Sequence, residues 1–389
     1  MISVVEQSLA IRVKPYYVCH TERELNALVD MLYAIDGKIR VVIEATGHYH
    51  GPIAKALYDA GFFVSIVNPY LVKCFSNNTL RKVKTDKADS VRIARYGMHY
   101  WHELRRYTPA EEIRARLKGF NRELLFYTDK KVAQQNHLIT LLDRTFPGAD
   151  KLFHARPKAD GRMKWVEFAQ EFWHCNLVSQ MSLDDFTDIY RAWCHNNDYD
   201  FSAKKAAEVY EKSSGSITTM PQDEYTKALV VAATRQLTAI TKESESLRSE
   251  MCSLAERLPE FSVVTSLYGV GKSIGAQLMA EIGDVRNFKN GKALVAYAGI
   301  DPGRIQSGDY RSRSVAITKN GSSYLRRILT YTMDIYILQK PPDEPVYDFY
   351  SKKYAEGKHF FVCRTAAINK FLRIYYARVK EYLDGLDDT

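Results

Sequence analysis

The stretch RVVIEATGHYHGPIAKALYDAGFFVSIVNP, residues 40–69, decides the fold of the first part of the chain. Arg40–Ile43 is a β-branched run and Phe62–Val67 is an apolar run, and both have the composition of short strands. Between them, Pro52–Ala60 has the spacing of a short amphipathic helix. A strand, a helix and a strand in this order predict a right-handed crossover in an α/β domain.

Before this stretch, two more short strands are predicted at Met1–Val5 and Ile11–Tyr16. Strand and helix signals alternate as far as about residue 105, whereas residues 110–258 have helical patterns. We therefore expect three regions: an α/β region over 1–108, a helical region over 109–258, and a mainly helical region over 259–389. The sequence does not assign a role to the aromatic-rich segment 160–200.

Three acidic residues are candidates for a metal site. Glu44 directly follows a predicted strand, at the sheet edge where functional groups of α/β proteins collect. In RKVKTDKADSVRIARYG, residues 81–97, Thr85 is a plausible helix N-cap, so Asp86 and Asp89 share one face of a first turn. Converging carboxylates favour a hard cation, Mg²⁺ or Mn²⁺. For the two aspartates alone, complementing the helix dipole is the simpler explanation.

The charge balance favours a polyanionic partner. Lys and Arg outnumber Asp and Glu by 55 to 46, which gives a formal charge of +9. A merely basic protein is the alternative, but Lys82, Lys84 and Lys87 surround the two aspartates and could bring a phosphate backbone to them. Metal-dependent phosphodiester chemistry needs both kinds of group.

Secretion, membrane insertion and a zinc site are not expected. No run of eighteen apolar residues occurs, and the N-terminus has no charged and then apolar leader. The six cysteines contain no CxxC pair and are typical of reduced thiols in a cytoplasmic protein. The pairs His174-Cys175 and Cys194-His195 lack zinc-ligand spacing.

A heptad pattern precedes the last region. Its positions are spaced alternately by three and four and end before Pro259: Val230, Ala233, Leu237, Ile240, Ser244, Leu247, Met251, Leu254 and Leu258. This pattern predicts a coiled coil, either with another subunit or within the chain. A long helix packed on its own domain is the alternative.

A glycine turn comes next in SLYGVGKS, residues 266–273. It is not a P-loop, because Ser266 stands where that motif needs glycine. Gly269 and Gly271, followed by the apolar Ile274–Ile282, indicate a helix-hairpin-helix-like motif that could bind phosphate with Lys272. A plain interhelical turn is the alternative.

The segment GRIQSGDYRSRSVAITKNGSSYLRR, residues 303–327, combines glycine and serine with strong positive charge. Its basic residues, opposed only by Asp309, are Arg304, Arg311, Arg313, Lys319, Arg326 and Arg327. Such a loop could approach DNA closely. Ser307 is not distinguished by composition, since a serine without an activating group is a weak nucleophile.

These strings together resemble one bacterial insertion-sequence transposase family, which includes bridge-RNA-guided recombinases. Residues 41–69 and 81–97 resemble its acidic-tetrad (DEDD) domain, which is RuvC-like with an RNase H-like fold. GVGKSIGAQLMAEIGD, AYAGIDPGRIQSG and ITKNGSSYLRRIL (residues 269–284, 296–308 and 317–329) resemble its C-terminal transposase domain.

The resemblance implies a composite active site. Glu44, Asp86 and Asp89 would be the second, third and fourth metal ligands, and Ser307, followed by Gly308, would be the nucleophile that forms a phosphoserine link to DNA. The metal would stabilise the departing 3′ oxygen. DNA, a non-coding guide RNA and a homo-oligomer, either dimer or tetramer, are the implied partners.

The chain departs from the family at its start. Members open with a strand similar to GIDVSK, whose Asp binds the metal, whereas MISVVEQSLAIRVKPYYVCHT resembles the family segment that comes after that strand. Glu6 lies at a predicted turn and is not assigned as a ligand. We expect a start placed too late. A junction-resolving nuclease and an inactive nucleic-acid-binding remnant are the rival hypotheses.

Overall fold

The computed structural model describes residues 1–45, 49–76, 85–107, 111–154, 156–302, 306–307, 310–311 and 316–387. It divides into two compact units, Met1–Ala110 and Glu111–Thr389. The predicted division into 1–108, 109–258 and 259–389 stays a prediction, and its second boundary falls inside the second unit. In the described part of the chain, no helix combines the length and apolar character that crossing a bilayer requires.

The first unit alternates strands and helices, as predicted for an α/β domain. In chain order its elements are β1 Ile2–Val5, β2 Ile11–Tyr16, α1 Glu22–Tyr33, β3 Arg40–Glu44, α2 His50–Asp59, β4 Phe63–Val67, α3 Pro69–Ser76 and α4 Asp86–His99. The four predicted strands are confirmed within a residue of their ends, and the predicted crossover helix is α2.

Two small sheets organise this unit. β1 and β2 pair antiparallel, while β3 and β4 pair parallel, with Arg40 opposite Phe63 and Glu44 opposite Val67. The helix α2 connects the parallel pair, and its buried Ala54 and Leu57 pack with Val64. The α4 helix packs against both β1 and β3.

The second unit is mainly helical. Its helices are α5 Glu112–Thr145, α6 Lys164–Glu171, α7 Asn176–Ser179, α8 Leu183–Asn196, α9 Ala203–Ser214, α10 Glu224–Ala255, α11 Phe261–Thr265, α12 Lys272–Ile282, α13 Gly291–Ala298, α14 Ser323–Gln339, α15 Pro345–Ala355 and α16 Phe360–Asp387. The short strands β5 Gln306–Ser307 and β6 Tyr310–Arg311 pair antiparallel.

The long helices α5 and α10 pack against each other in opposite directions. Leu138 near the end of α5 shares a core with Val230 near the start of α10, and Leu117 shares another core with Met251. The predicted heptad seam lies along this contact, since Val230, Leu237, Ser244 and Met251 are all buried. The seam is therefore covered within the chain.

The aromatic-rich segment forms a core of its own. Phe168 stacks on Phe172, with ring centroids 4.8 Å apart, and Tyr190 stacks on Trp193 at 5.7 Å. Phe186 is fully buried beside them. Large aromatic side chains dominate the energetics of such a core because each buries much apolar area. This core attaches to the first half of α10 through Val230, Ala233 and Leu237.

Candidate functional site

Glu44 is the last residue of β3, at the carboxyl edge of the parallel pair. The edge is defined by the register Glu44 to Val67 and by the next backbone bond, from Ala45 N to Val67 O at 2.9 Å. Glu44 is half-buried there. The position predicted for it at the end of a strand is confirmed.

Asp86 and Asp89 occupy the first turn of α4, as predicted. Thr85 is the N-cap, and its Oγ1 accepts a hydrogen bond from Ala88 N at 3.2 Å. The exposed Asp86 accepts a hydrogen bond from the Tyr17 hydroxyl at 3.3 Å, and Asp89 pairs with Arg92 at 2.6 Å. The i, i+3 spacing gives the two carboxylates one helix face.

The α4 helix runs antiparallel to β3. Arg40, at the start of the strand, lies over the Trp101 ring at 4.7 Å, just beyond the end of the helix. Further along, Gly97 lies so close to Val42 that a Cβ atom there would be 2.5 Å from Val42 Cγ2. The N-terminal turn of α4 therefore points toward the end of β3 that carries Glu44.

The three carboxylates do not form an assembled ligand set. Within the described residues, no three or more His, Cys, Asp or Glu side chains are grouped closely enough to hold a metal ion. Carboxylate oxygens suit Mg²⁺ or Mn²⁺ by donor chemistry. The two Cys–His pairs belong to no such group either.

Ser307 lies in a hairpin. It ends β5 and pairs with Tyr310 of β6. Ser307 and Arg311 are described by their backbone only. The other predicted contact residues that lie outside the described residues are Lys82, Lys84, Arg304, Gly308 and Arg313.

The base of the hairpin segment is closed by backbone bonds. Pro302 bridges to Ile317, Lys319 N bonds Gly299 O at 3.0 Å, and Ser322 N bonds Tyr297 O at 2.8 Å. Gly321 permits this approach, because a Cβ atom there would lie 2.1 Å from Tyr297 O. These backbone contacts hold the two ends of the segment between residues 299 and 322 together. We call this closed base the neck.

Arg326 supports this neck. Its Nη1 donates to Ala298 O and to Gly321 O, both at 3.0 Å, so it joins the two sides. Predicted as a nucleic-acid contact, it already has structural partners. Arg327 pairs with Asp129 at 2.7 Å. Lys272 pairs with Glu256 at 2.7 Å, and this hydrogen bond raises the Lys272 pKa. Lys87 and Lys319 are exposed.

Glu281 is a buried carboxylate that sequence reasoning missed. It accepts hydrogen bonds from Asn121 Nδ2 at 2.7 Å, Arg122 Nη2 at 2.9 Å and Ser322 Oγ at 3.2 Å. Burial raises the pKa of the Tyr297 hydroxyl beside it, and the Glu281 charge adds to that effect. One acid among the apolar residues of α12 was the available signal. Glu281 joins α5 and α12 to the N-cap of α14.

The glycine turn before α12 connects α11 to α12. Gly269 has a φ of +71°, and Gly271 is the N-cap of α12. A Cβ atom at Gly269 would meet the Tyr336 ring at 3.2 Å. The glycine is therefore needed for both conformation and packing.

Two family models match the chain on either side of its aromatic region. A transposase model of the IS110 type with a DEDD domain matches residues 3–147, which hold the three carboxylates. A model described as the transposase IS116/IS110/IS902 family matches residues 262–346, which hold Ser307.

Curated relatives match most of the chain. An insertion element IS110 uncharacterized 43.6 kDa protein of Streptomyces coelicolor is 21% identical over 343 residues, which is 87% of this chain and 81% of that protein. A pilin gene-inverting protein of Moraxella bovis is 22% identical over 346 residues, which is 88% of this chain and 80% of that protein. The Moraxella lacunata protein of the same name is 21% identical over 350 residues, 88% of this chain and 80% of that protein. With one model on the carboxylates and the other on the serine, the chain belongs to the IS110/IS116 family of transposases.

Proposed function

We propose that this protein cuts and rejoins DNA with a serine nucleophile and a metal-binding acidic site. The observation that carries the proposal is the distribution of the two family matches: the carboxylates fall in the first and Ser307 in the second. Glu44 at a strand edge and two aspartates in the first turn of α4 carry oxygen donors of the right kind.

Ser307 performs the covalent step. Its Oγ attacks a backbone phosphorus, the bond from phosphorus to the 3′ oxygen breaks, and the DNA is left linked through phosphoserine. The hydroxyl proton leaves Oγ and a proton is taken up by the 3′ oxygen. A 3′ hydroxyl from another strand then attacks the same phosphorus and releases the serine. Number and type of phosphodiester bonds are conserved, so no energy source is needed.

Glu44, Asp86 and Asp89 would hold Mg²⁺ or Mn²⁺. When bound, the cation supplies positive charge for the developing 3′ oxyanion. Arg92 neutralises Asp89 in the absence of a cation. Tyr17 is uncharged and only donates a hydrogen bond to Asp86. Asp86 and Asp89 would each offer a carboxylate oxygen to the cation.

Basic and glycine residues would position the DNA. The proposed contacts are Lys82, Lys84, Lys87, Gly269, Gly271, Lys272, Arg304, Gly308, Arg311, Arg313, Lys319, Arg326 and Arg327. Among those described with side chains, exposed Lys87 and Lys319 are the strongest candidates. The turn at Gly269 and Gly271 would act as a helix-hairpin-helix-like phosphate contact.

Several finer features belong to the same proposal. The first unit would have the RuvC-type arrangement of an RNase H-like fold, and the α5–α10 pair would serve as a coiled coil. The protein would work in the cytoplasm as a homo-oligomer, with a guide RNA as a further partner. Two relatives are named gene-inverting proteins, so inversion of a DNA segment is within the proposed reaction class.

Covalent protein–DNA adducts test the serine step. With Mn²⁺ and a DNA substrate carrying the element ends, the protein should form an adduct that survives denaturation, and Ser307→Ala should abolish it. Ser312→Ala, in the same segment, is the matched control and should retain it. Strand exchange by Ser307→Ala would overturn the mechanism. DNA cleavage without any adduct would favour the junction-resolving nuclease instead.

The same adduct assay tests the acidic site with a second set of variants. Glu44→Gln should lower adduct formation by at least about a hundredfold, as expected when a group that stabilises transition-state charge is removed. Asp59→Asn removes an exposed carboxylate that pairs with Lys55, and it should change adduct formation little. Unchanged adduct formation by Glu44→Gln would refute the assignment.

A further inference from the structure

A cavity lies in the part of the chain that neither family model covers. The models match residues 3–147 and 262–346. The cavity, called the pocket below, is lined by α6, the turn before it and α10, all of which fall between these two ranges in sequence. The cavity measures about 310 Å³, at the lower end of the usual size of ligand pockets. Its polar lining consists of Arg162, Glu167, Gln170, Arg235, Thr238 and Lys242.

Two of the lining cations, Arg235 and Lys242, form no ion pair within the described part of the chain and could bind a ligand. Arg235 and Lys242 are seven residues apart on α10, so they lie two turns apart on one exposed face. Among the described residues, neither has a carboxylate within ion-pair distance. Other cations of the same helix are paired: Lys227 with Glu224 at 3.7 Å and Arg248 with Glu245 at 3.5 Å.

The third cation, Arg162, is held at the rim by its own turn. Its Nε donates to Asp160 Oδ2 at 2.7 Å. Its Nη atoms lie 3.8 Å from Glu167 and 4.0 Å from Asp198, beyond hydrogen-bond distance. The guanidinium is therefore oriented by one carboxylate while its outer N–H groups remain able to donate.

Gly161 fixes this turn on α10. It has a φ of +84°, and a Cβ atom there would lie 2.4 Å from Lys242 N and 2.6 Å from Thr238 O. The turn thus rests directly on the backbone of the helix that carries the other two cations. The backbone positions of all three cations are therefore fixed relative to one another.

The charge of the lining selects an anion. Arg162 is already paired with Asp160, so within the described residues the uncompensated positive charge of the lining is that of Arg235 and Lys242, against one lining carboxylate, Glu167. Glu167 also accepts a hydrogen bond from the Tyr199 hydroxyl. Thr238 and Gln170 add hydrogen-bonding groups. Guanidinium and ammonium groups around a small cavity match a phosphate oxygen in charge and geometry.

We infer that this pocket binds the phosphodiester backbone of a nucleic-acid strand, with Arg162, Arg235 and Lys242 as the phosphate contacts. The inference goes beyond the proposed function, because it involves neither Ser307 nor the acidic site. It assigns the helical region between the two family matches a role in holding nucleic acid.

Binding of labelled oligonucleotides to the full chain tests the pocket. The probes are one mixed-sequence oligonucleotide as single-stranded RNA, the same sequence as single-stranded DNA, and the DNA duplex. The double variant Arg235→Gln/Lys242→Gln should bind the preferred probe at least about fivefold more weakly. The slope of log affinity against log salt, measured from about 50 to 200 mM, should fall by about one to two.

Matched controls separate the pocket from overall charge. Lys204→Gln/Lys227→Gln removes the same charge from exposed positions outside the pocket and should weaken binding less than about twofold. Gln170→Glu places a carboxylate in the pocket and should also weaken binding. Gln236→Glu, exposed on α10 outside the lining, should weaken it less.

Each outcome decides the inference. The inference is supported if the pocket variants bind an oligonucleotide more weakly and the control variants do not. The probe whose binding is weakened then identifies the strand as RNA or DNA. The inference is overturned if the pocket and control variants lose binding affinity equally, or if no probe binds the pocket variants more weakly. Because Ser307 and the carboxylates are unaltered in all these variants, such a failure leaves the covalent-adduct test of the proposed function unaffected.

Discussion

Glu281 connects α12 to α5 and to the N-cap of α14, which follows the segment that carries Ser307. It is 1% exposed and accepts hydrogen bonds from Asn121, Arg122 and Ser322. Glu281→Gln keeps the shape but removes the charge that Arg122 faces. We expect the free energy of unfolding of the second unit to fall by about 2–3 kcal/mol, because hydrogen bonds to a buried charge are lost.

Urea denaturation measures that difference. Glu123→Gln changes an exposed carboxylate on α5 and should shift the free energy of unfolding by no more than about 0.5 kcal/mol. Equal effects of the two variants would mean that the buried network contributes nothing specific to stability.

Gly321 is the second residue on which the neck depends. A methyl group there would lie 2.1 Å from Tyr297 O and 2.4 Å from Gly299 N, both backbone atoms that cannot swing away. Gly321→Ala should therefore destabilise the second unit, by at least about 2 kcal/mol as for other overpacked sites, and lower adduct formation by Ser307.

A second glycine provides a control of opposite sign for Gly321→Ala. Gly119 lies inside α5, and a Cβ atom there would meet nothing within 4 Å. Gly119→Ala should stabilise the protein by about 0.5–1 kcal/mol, since glycine has greater backbone freedom in the unfolded chain. Thermal unfolding of both variants measures the contrast, and destabilisation by both would refute the steric explanation for Gly321.

At the scale of elements, the antiparallel α5–α10 contact gives the heptad seam its partner. Ser244 is the polar member of that seam and is 1% exposed, yet its Oγ has no hydrogen-bond partner among the described residues. Burying an unsatisfied hydroxyl is unfavourable, so Ser244→Ala should raise the free energy of unfolding by up to about 1 kcal/mol. Denaturant titration checks this, with exposed Ser253→Ala as control. A clear loss of stability would mean that Ser244 Oγ has a stabilising contact.

Local signals predicted the elements well because they depend on neighbouring residues. The β-branched run before Glu44 gave β3, and the Thr85 cap gave the start of α4. The heptad pattern gave the buried face of α10 but left its partner open, because spacing alone does not distinguish an intramolecular helix from another subunit. The structure supplies α5 as that partner.

The candidate sites were predictable only in part, for a different physical reason. Carboxylates at a strand end and in a first turn could be recognised locally, and Ser307 only through family resemblance. Burial of Glu281 and the approach of Arg162 to Arg235 depend on contacts between residues far apart in sequence. Helical spacing carries no information about such contacts, so the single acid among the apolar residues of α12 was the only local signal of the buried network, and the basic pocket had none.

At the scale of the whole molecule, two compact units with separate cores should respond separately to a metal ion. If Glu44, Asp86 and Asp89 bind Mg²⁺, the ion stabilises the folded first unit and slows opening of its backbone. At a concentration one hundred times the dissociation constant, this stabilisation is about 2.7 kcal/mol, or about a hundredfold in protection. Hydrogen exchange should therefore slow at the end of β3 and in the first turns of α4, and remain unchanged in α5–α16.

Variants identify the carboxylates as the cause of this protection. Glu44→Gln should abolish the Mg²⁺-dependent protection, whereas Asp59→Asn in the same unit should retain it. Because exchange is measured without DNA, loss of protection cannot be attributed to loss of catalysis. Protection that persists in Glu44→Gln, or that appears mainly in the second unit, would place the metal elsewhere and separate the acidic edge of β3 from the chemistry of Ser307.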